Sequence, residues 1–174
     1  MNPLALSESL IDETLTESDL NRGVRTYLQK GRTLLLNAHR EGAGGQEIVS
    51  AYTAMADRLM RHLFQVASQD YTSRYPSLNL RCTLIAQGGY GREELNPYSD
   101  IDLLFLHTWR VTPYVEWVAE KILYTLWDAG LEVGHAIRSI AESVRLAGKD
   151  MKVKTALLDA RYLCGDRALY DDFE

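Results

Sequence analysis

Two long stretches in the first half of the chain carry apolar residues at helical spacing. Between residues 18 and 38 the apolar stripe includes Leu20, Val24 and Tyr27, and the glycine-rich segment 41–45 interrupts it. Between residues 46 and 69 the stripe is clearer, because apolar residues recur every three or four positions from Ile48 to Val66. The pattern predicts an N-terminal helical hairpin over residues 18–70, preceded by a loose leader over residues 1–17.

Two short apolar segments farther along the chain predict strands. The first, residues 80–87, leads directly into the sequence Gly-Gly-Tyr-Gly at 88–91. The second, residues 101–106, is an almost continuous apolar run that carries Asp100 and Asp102 where it begins. The glycines therefore follow one predicted strand, and the two acidic residues open the next.

The remaining segments predict helices around a small sheet. Thr112 and Pro113 form a helix start, and the apolar stripe behind them continues until Gly130. Residues 131–140 alternate as a third strand, and residues 141–147 and 155–163 are predicted as helices. The fold class is therefore α+β, with a small mixed sheet flanked by helices in a core over residues 78–174. The last residues carry no closing signal, which favours a longer protein truncated here at the C-terminus.

Composition and charge narrow the classes of function. The 174 residues are 46% hydrophobic and 25% charged, which is ordinary for a globular protein, and the net charge is −5. Such a chain has no broad basic field for a phosphate backbone, so a nucleic-acid partner is disfavoured. We find neither a secretion signal nor an apolar run of membrane-spanning length in the sequence, and we expect a cytoplasmic protein without a membrane partner.

The spacing of Asp100 and Asp102 predicts a metal site. Residues two apart on a strand point to the same side, with their backbones about 7 Å apart. Two carboxylates on an apolar strand are costly unless a cation lies between them. Mg²⁺, or Mn²⁺ in its place, is the natural candidate, because such ions are held by one or two carboxylates together with substrate phosphates.

Gly88 and Gly89 supply a phosphate-binding turn beside that metal site. Residues without a Cβ let backbone N–H groups approach a nucleoside triphosphate closely. Arg92 is predicted to neutralise phosphate charge, and Ser99 to donate a hydrogen bond to a phosphate oxygen. The sequence then predicts metal-assisted transfer of a nucleotide, with Asp100 and Asp102 as the catalytic metal ligands.

A simpler interpretation stays open for each motif alone. The glycines could form only a tight turn, and the two aspartates could cap a strand or pair with arginines at the surface. We prefer the functional interpretation because strand, Gly-Gly, Asp-Ile-Asp and strand must occur in that order. The GxGxxG and GxxxxGK[ST] phosphate motifs are both absent, which disfavours dinucleotide-binding and P-loop folds.

Residues 85–106 resemble the nucleotidyltransferase domain of the bifunctional uridylyltransferase/uridylyl-removing enzymes of bacterial nitrogen signalling. The resemblance extends to residues 127–138 and 155–166, and more loosely to the N-terminal helices. It implies a DNA-polymerase-β-like fold and transfer of UMP from UTP to a tyrosine of the PII signalling protein, with release of pyrophosphate. It also implies that Gly88 and Gly89 bind the triphosphate and that Asp100 and Asp102 bind the metal.

Three features qualify what the resemblance implies. Glu93 stands where the family is expected to have glycine. A third acidic ligand cannot be placed, since Glu132 lies at the edge of the third strand and Asp159 falls in a predicted helix. No adjacent His-Asp pair is present for uridylyl removal. A regulatory nucleotide-binding module without transfer activity, and adenylyl transfer to another protein, therefore remain as alternatives, and the activity of this segment by itself stays open.

Overall fold

A computed structural model describes residues 19–76 and 80–174 of the chain. The leader predicted for residues 1–17 lies outside the described residues. None of the helices described is long and apolar enough to cross a membrane. In chain order the elements are α1 (Leu20–Arg40), α2 (Gly45–Arg74), β1 (Cys82–Ala86), α3 (Gly88–Gly91), β2 (Ile101–His107), α4 (Pro113–Asp128), β3 (Val133–Ser139), α5 (Ile140–Ala147), α6 (Met151–Leu158), β4 (Arg161–Gly165) and α7 (Arg167–Asp171).

The first two helices form the hairpin that the apolar stripes predict. The Asp19 side chain caps α1 by accepting hydrogen bonds from the N–H groups of Asn21 at 3.1 Å and Arg22 at 3.3 Å. The chain reverses through Gly42, whose φ of 104° lies in a region that glycine adopts readily. The apolar side of α2 is buried in the same core as the sheet. The hairpin is therefore packed on the sheet and does not stand apart from it.

The sheet has four strands in the order β3-β2-β1-β4. β1 is antiparallel to both β2 and β4, whereas β2 and β3 are parallel. The parallel pair requires a crossover connection, which α4 supplies. The Thr112 side chain caps α4 by accepting a hydrogen bond from the N–H of Val115 at 3.4 Å, and Pro113 lies in the first turn. The predicted α+β class, with a mixed sheet flanked by helices, is confirmed.

The two faces of the sheet have different environments. Along β2, Leu103 and Phe105 are buried in the larger core, which includes residues of α1, α2 and α4. Leu104 and Leu106 are buried in a smaller cluster with residues of α6 and α7. Because side chains alternate along a strand, Asp102 emerges on the face of the smaller cluster.

The single helix predicted over residues 155–163 is wrong. The helix α6 begins earlier, because the Asp150 side chain accepts a hydrogen bond from the N–H of Lys152 at 2.8 Å and caps its first turn. The helix ends at Leu158, and Asp159 follows it in a turn instead of lying within a helix. Residues 161–165 then pair with β1 as a fourth strand. This strand is only five residues long and half-buried, so its apolar pattern does not distinguish it from the helix before it.

Candidate active site

The glycine-rich turn begins where β1 ends. The N–H of Gln87 donates a 3.0 Å hydrogen bond to the carbonyl oxygen of Asp102, which ties the start of the turn to β2. Gly88 follows with a φ of 57°, a left-handed conformation that favours glycine. A Cβ at Gly88 would lie 3.1 Å from Oδ2 of Asp102, which is a tight contact. The turn is thus shaped around glycine and lies directly against the carboxylate.

The other side of the Asp102 carboxylate is bounded by Gly134 on β3. The parallel register of β2 and β3 pairs Asp102 with Gly134. A Cβ at Gly134 would lie only 2.2 Å from Oδ1 of Asp102, so any larger residue would displace the carboxylate. Gly134 was not among the site residues predicted from the sequence. A glycine within a predicted strand is the signal that could have found it, since such glycines often mark a close approach.

The electrostatic environment separates the two acidic residues. Asp102 is half-buried on β2, whereas Asp100 is exposed just before the strand. Burial, and then the negative charge of Asp100, raise the pKa of the Asp102 carboxyl above its ordinary value. Across residues 19–76 and 80–174, no side chain forms an ion pair or a hydrogen bond with either carboxylate. The described residues therefore give no support to the interpretation that these aspartates pair with surface arginines.

The donor set suits a hard divalent cation that shares its coordination with a substrate. In the described part of the chain, no three acidic, histidine or cysteine side chains lie close enough to hold a metal together. Two carboxylates are nonetheless a common protein contribution to a Mg²⁺ site, where phosphates and water supply the other ligands. Neither Glu132 nor Asp159 joins Asp100 and Asp102 as a third ligand.

A cleft of about 260 Å³ opens beside the two carboxylates, and we call it the acidic cleft. Five of the six predicted site residues line it, and the sixth, Gly88, is the chain neighbour of one of them. The fold thus brings together residues that the sequence places on two separate elements. The lining residues are Gly89, Tyr90, Arg92, Glu94, Leu95, Asn96, Ser99, Asp100 and Asp102.

Arg92 lies in the acidic cleft with its charge already shared. Its guanidinium donates to the carboxylate of Glu94 at 3.0 Å and to that of Asp159 at 2.7 Å. These two hydrogen bonds raise the pKa of the Arg92 guanidinium. Ser99 is exposed, and its N–H donates to the carbonyl oxygen of Asn96 at 3.1 Å within the turn that leads to β2. Both residues line the acidic cleft, and the Arg92 guanidinium is already paired with two carboxylates there.

The carbonyl groups of the glycine-rich turn are held by Arg161 of β4. Its guanidinium donates to the carbonyl oxygens of Tyr90 at 3.1 Å and Gly91 at 3.2 Å. The same guanidinium makes a bidentate pair with the buried carboxylate of Asp57, at 2.8 and 2.9 Å. Asp57 lies on α2, so the N-terminal hairpin and the last strand together fix the turn. Neither Asp57 nor Arg161 could be predicted from a local pattern, because their pairing joins positions 104 residues apart.

A second contact from α2 holds the chain just after the turn. Oγ1 of Thr53 accepts a hydrogen bond from the N–H of Leu95 at 3.1 Å and lies 3.2 Å from the carbonyl oxygen of Glu93. Glu93 has a φ of 63° and is the one described residue other than glycine with a positive φ. The expectation of glycine at this position therefore has a physical reason, because the backbone is left-handed here.

The fold and the site define the class of this protein as a nucleotidyltransferase domain. A mixed sheet flanked by helices carries a glycine turn after one strand and an Asp-x-Asp pair at the start of its neighbour. The family described as "Putative nucleotidyltransferase DUF294" matches residues 29–137, which include the turn and both aspartates. The chain belongs to this family.

Curated relatives extend the similarity over most of the chain. The bifunctional uridylyltransferase/uridylyl-removing enzyme of Bradyrhizobium sp. strain BTAi1 is 48% identical over 150 residues, covering 86% of this chain and 16% of that enzyme. The enzymes of the same description from Nitrobacter winogradskyi and Rhodospirillum rubrum are 42% and 41% identical, over 92% and 95% of this chain. The chain spans 16% to 18% of the length of these relatives.

Proposed function

We propose that this chain transfers UMP from UTP to a tyrosine hydroxyl of a PII-type nitrogen-regulatory protein and releases pyrophosphate. The nucleotidyltransferase class follows from the family, and the similarity to uridylyltransferases favours UTP as the nucleotide. The PII-type acceptor comes from the resemblance of residues 85–106 to enzymes of nitrogen signalling. The observation that supports the proposal most strongly is the pair of carboxylates without a cationic partner, beside a turn shaped for glycine.

Asp100 and Asp102 are the residues that would hold Mg²⁺ or Mn²⁺. The raised pKa of the Asp102 carboxyl reflects a negative charge that the folded chain leaves uncompensated, and a divalent cation would compensate it. When bound, the metal supplies charge stabilisation for the phosphoryl group under attack and for the leaving pyrophosphate. Gly134 and Gly88 confine the Asp102 carboxylate from both sides and so keep its oxygens directed toward the proposed metal site.

Gly88 and Gly89 would bind the triphosphate through their backbone. The N–H groups at the start of α3 have no acceptor within the helix, so they are available to phosphate oxygens. Arg161 fixes the carbonyl side of the same turn, which keeps these N–H groups in one orientation. Ser99, at the rim of the acidic cleft, is the proposed side-chain donor to a phosphate oxygen.

The test is transfer of labelled UMP to a purified PII-type protein in the presence of Mg²⁺. We expect label on the acceptor with the unaltered chain and a loss of at least 100-fold in Asp100→Asn and Asp102→Asn, in line with removal of a major electrostatic contribution. Asp172→Asn is the matched control, because it removes an exposed carboxylate at the other end of the chain. Equal transfer by all four proteins would contradict the proposal.

Two alternatives make different predictions in the same assay. The lack of a third acidic ligand among the described residues favours a regulatory module, which would bind UTP without labelling any acceptor. Adenylyl transfer would instead show label from ATP and none from UTP. Running both nucleotides against the same acceptor separates these outcomes from uridylyl transfer.

A further inference from the structure

A second cleft adjoins the Asp102 carboxylate on the side of β3 and α6, and we call it the basic cleft. It encloses about 210 Å³, and its lining includes Gln87, Asp102, Gly134, Arg138 and Lys152. Asp102 is the residue that it shares with the acidic cleft. The two clefts therefore meet at the proposed metal site.

Arg138 reaches the basic cleft because of its register on β3. Asp102 pairs with Gly134, and Leu106 pairs with Arg138, so Arg138 projects from the same face of the sheet as the Asp102 carboxylate. The other side chains on this face of β2 and β3 belong to the smaller apolar cluster. A half-buried arginine next to that cluster requires an anionic partner or water.

Lys152 occupies a position that the electrostatics of its helix disfavour. It lies in the first turn of α6, two residues after the capping residue Asp150. The positive end of a helix dipole repels a cation there, so helix stability does not explain a lysine at this position. In the described ranges, neither Lys152 nor Arg138 forms an ion pair with any carboxylate. Two cations and the start of a helix thus line one cleft, in which Asp102 is the one carboxylate among the described lining residues and pairs with neither cation.

The two clefts carry opposite charges, and this difference bears on where the phosphates of a nucleotide would bind. The acidic cleft carries Glu94, Asp100 and Asp102, and its one arginine, Arg92, already makes two ion pairs. A nucleoside triphosphate is a polyanion, so the phosphates beyond the one that Ser99 contacts are favoured in the basic cleft over the acidic cleft. The glycine turn connects the two, because Gln87 lines one cleft and Gly89 the other.

We propose that Arg138 and Lys152 bind the β- and γ-phosphates of the nucleoside triphosphate in the basic cleft. This inference rests on the proposed function, since it assigns the site of that same substrate. The phosphates extend from the N–H groups of Gly88 and Gly89, past Asp102, to the two cations. The acidic cleft is then left for the acceptor hydroxyl and for the one phosphate that Ser99 contacts.

The experiment measures binding of UTP and of inorganic pyrophosphate, each with Mg²⁺, to the whole 174-residue chain. Arg138→Gln and Lys152→Gln should each weaken binding of both probes about tenfold or more, the loss expected for one hydrogen bond from a charged donor. Arg145→Gln and Lys154→Gln are the matched controls, because both residues are exposed, carry the same charge and do not line the basic cleft. Lys152→Arg should retain binding within a few fold.

The outcomes separate this inference from the proposed function. Equal affinities in the two cleft variants and the two control variants, with UTP binding lost in Asp102→Asn, would overturn the basic cleft and leave the proposed function intact. Absence of binding of both probes by the unaltered chain would overturn both. If Lys152→Arg loses as much UTP affinity as Lys152→Gln, the positive charge at this position is not what binds UTP. That result would also overturn the inference. Thermal melting of each variant checks that folding is unchanged.

Discussion

Replacing Gly134 with alanine would place a methyl group against the Asp102 carboxylate. The ideal Cβ position is 2.2 Å from Oδ1 and 3.4 Å from Cγ of Asp102, whereas ordinary contacts to a Cβ begin at 3.4 Å. The backbone at Gly134 does not have a positive φ, so alanine itself is not strained there. The clash is therefore confined to the carboxylate, which must move by about 1 Å.

The structure sets the size of the expected effects. A displacement of about 1 Å in a positioned catalytic group can cost on the order of 100-fold in rate. The carboxylate can turn away at a cost of about 1 kcal/mol for an unfavourable rotamer, while alanine in a strand recovers roughly the same amount relative to glycine. We therefore expect nucleotidyl transfer to fall about 100-fold and the melting temperature to change by no more than about 4 °C.

The assay combines initial rates of transfer with titration of Mn²⁺ in the absence of nucleotide. We expect Gly134→Ala to weaken Mn²⁺ binding about tenfold, since a displaced carboxylate loses one charged ligand interaction. Gly148→Ala is the control, because the nearest atom to a Cβ there is 3.6 Å away, at an ordinary contact distance. A Gly134→Ala protein with unaltered Mn²⁺ affinity and unaltered transfer rate would refute the reasoning about Asp102.

Three further substitutions test the electrostatics and the support of the turn. Asp102→Asn should raise the stability of the metal-free chain at pH 7 by up to about 1 kcal/mol, because it removes a half-buried charge that solvent partly screens. The pKa of Asp102 is raised in the folded chain, so wild-type stability falls as pH rises through that pKa, and thermal melts should show the variant's advantage shrinking toward pH 4. Glu93→Gly should stabilise the chain by about 1 kcal/mol in urea melts, since it relieves a left-handed φ of 63°. Asp57→Ala should destabilise it by about 3 kcal/mol in the same melts, because Arg161 would be left largely buried without its partner.

Each of these predictions has a clear contrary result. Excess Mg²⁺ should stabilise only the wild type and so make it more stable than Asp102→Asn. A variant that stays more stable than the wild type in Mg²⁺ would count against metal binding at Asp102. Glu94→Gly, at a residue without a positive φ, should destabilise the chain, and equal effects at Glu93 and Glu94 would exclude backbone strain as the cause. A cost below about 1 kcal/mol for Asp57→Ala would mean that its pairing with Arg161 does not hold the turn.

The sequence predicts the helices that have a long apolar stripe or a clear capping residue. The helices α1, α2 and α4 follow from apolar stripes, and the cap and proline of α4 mark its start to the residue. The strand β4 was not predicted, because a five-residue strand beside a helix has too few positions to show a period of two. Its existence depends on pairing with β1, a contact about 80 residues away in the chain.

The residues of the candidate site also differ in whether a local pattern or a long-range contact places them. Gly88, Gly89, Asp100 and Asp102 are singled out because local spacing places them at the ends of strands. The fold brings the last three to one cleft, and Gly88 is the chain neighbour of Gly89. Gly134 acts through its register with Asp102, and register is a property of the folded sheet. The pairing of α2 with β4 around the turn is likewise invisible to any local pattern.

The most direct test of the central claim is a crystal structure of the chain with UTP and Mn²⁺, using anomalous scattering to locate the metal. We predict a Mn²⁺ peak with oxygen ligands from both Asp100 and Asp102, and triphosphate oxygens within hydrogen-bond distance of the N–H groups of Gly88 and Gly89. A Mn²⁺ ion bound elsewhere, or a triphosphate that contacts neither the turn nor the two aspartates, would contradict the account.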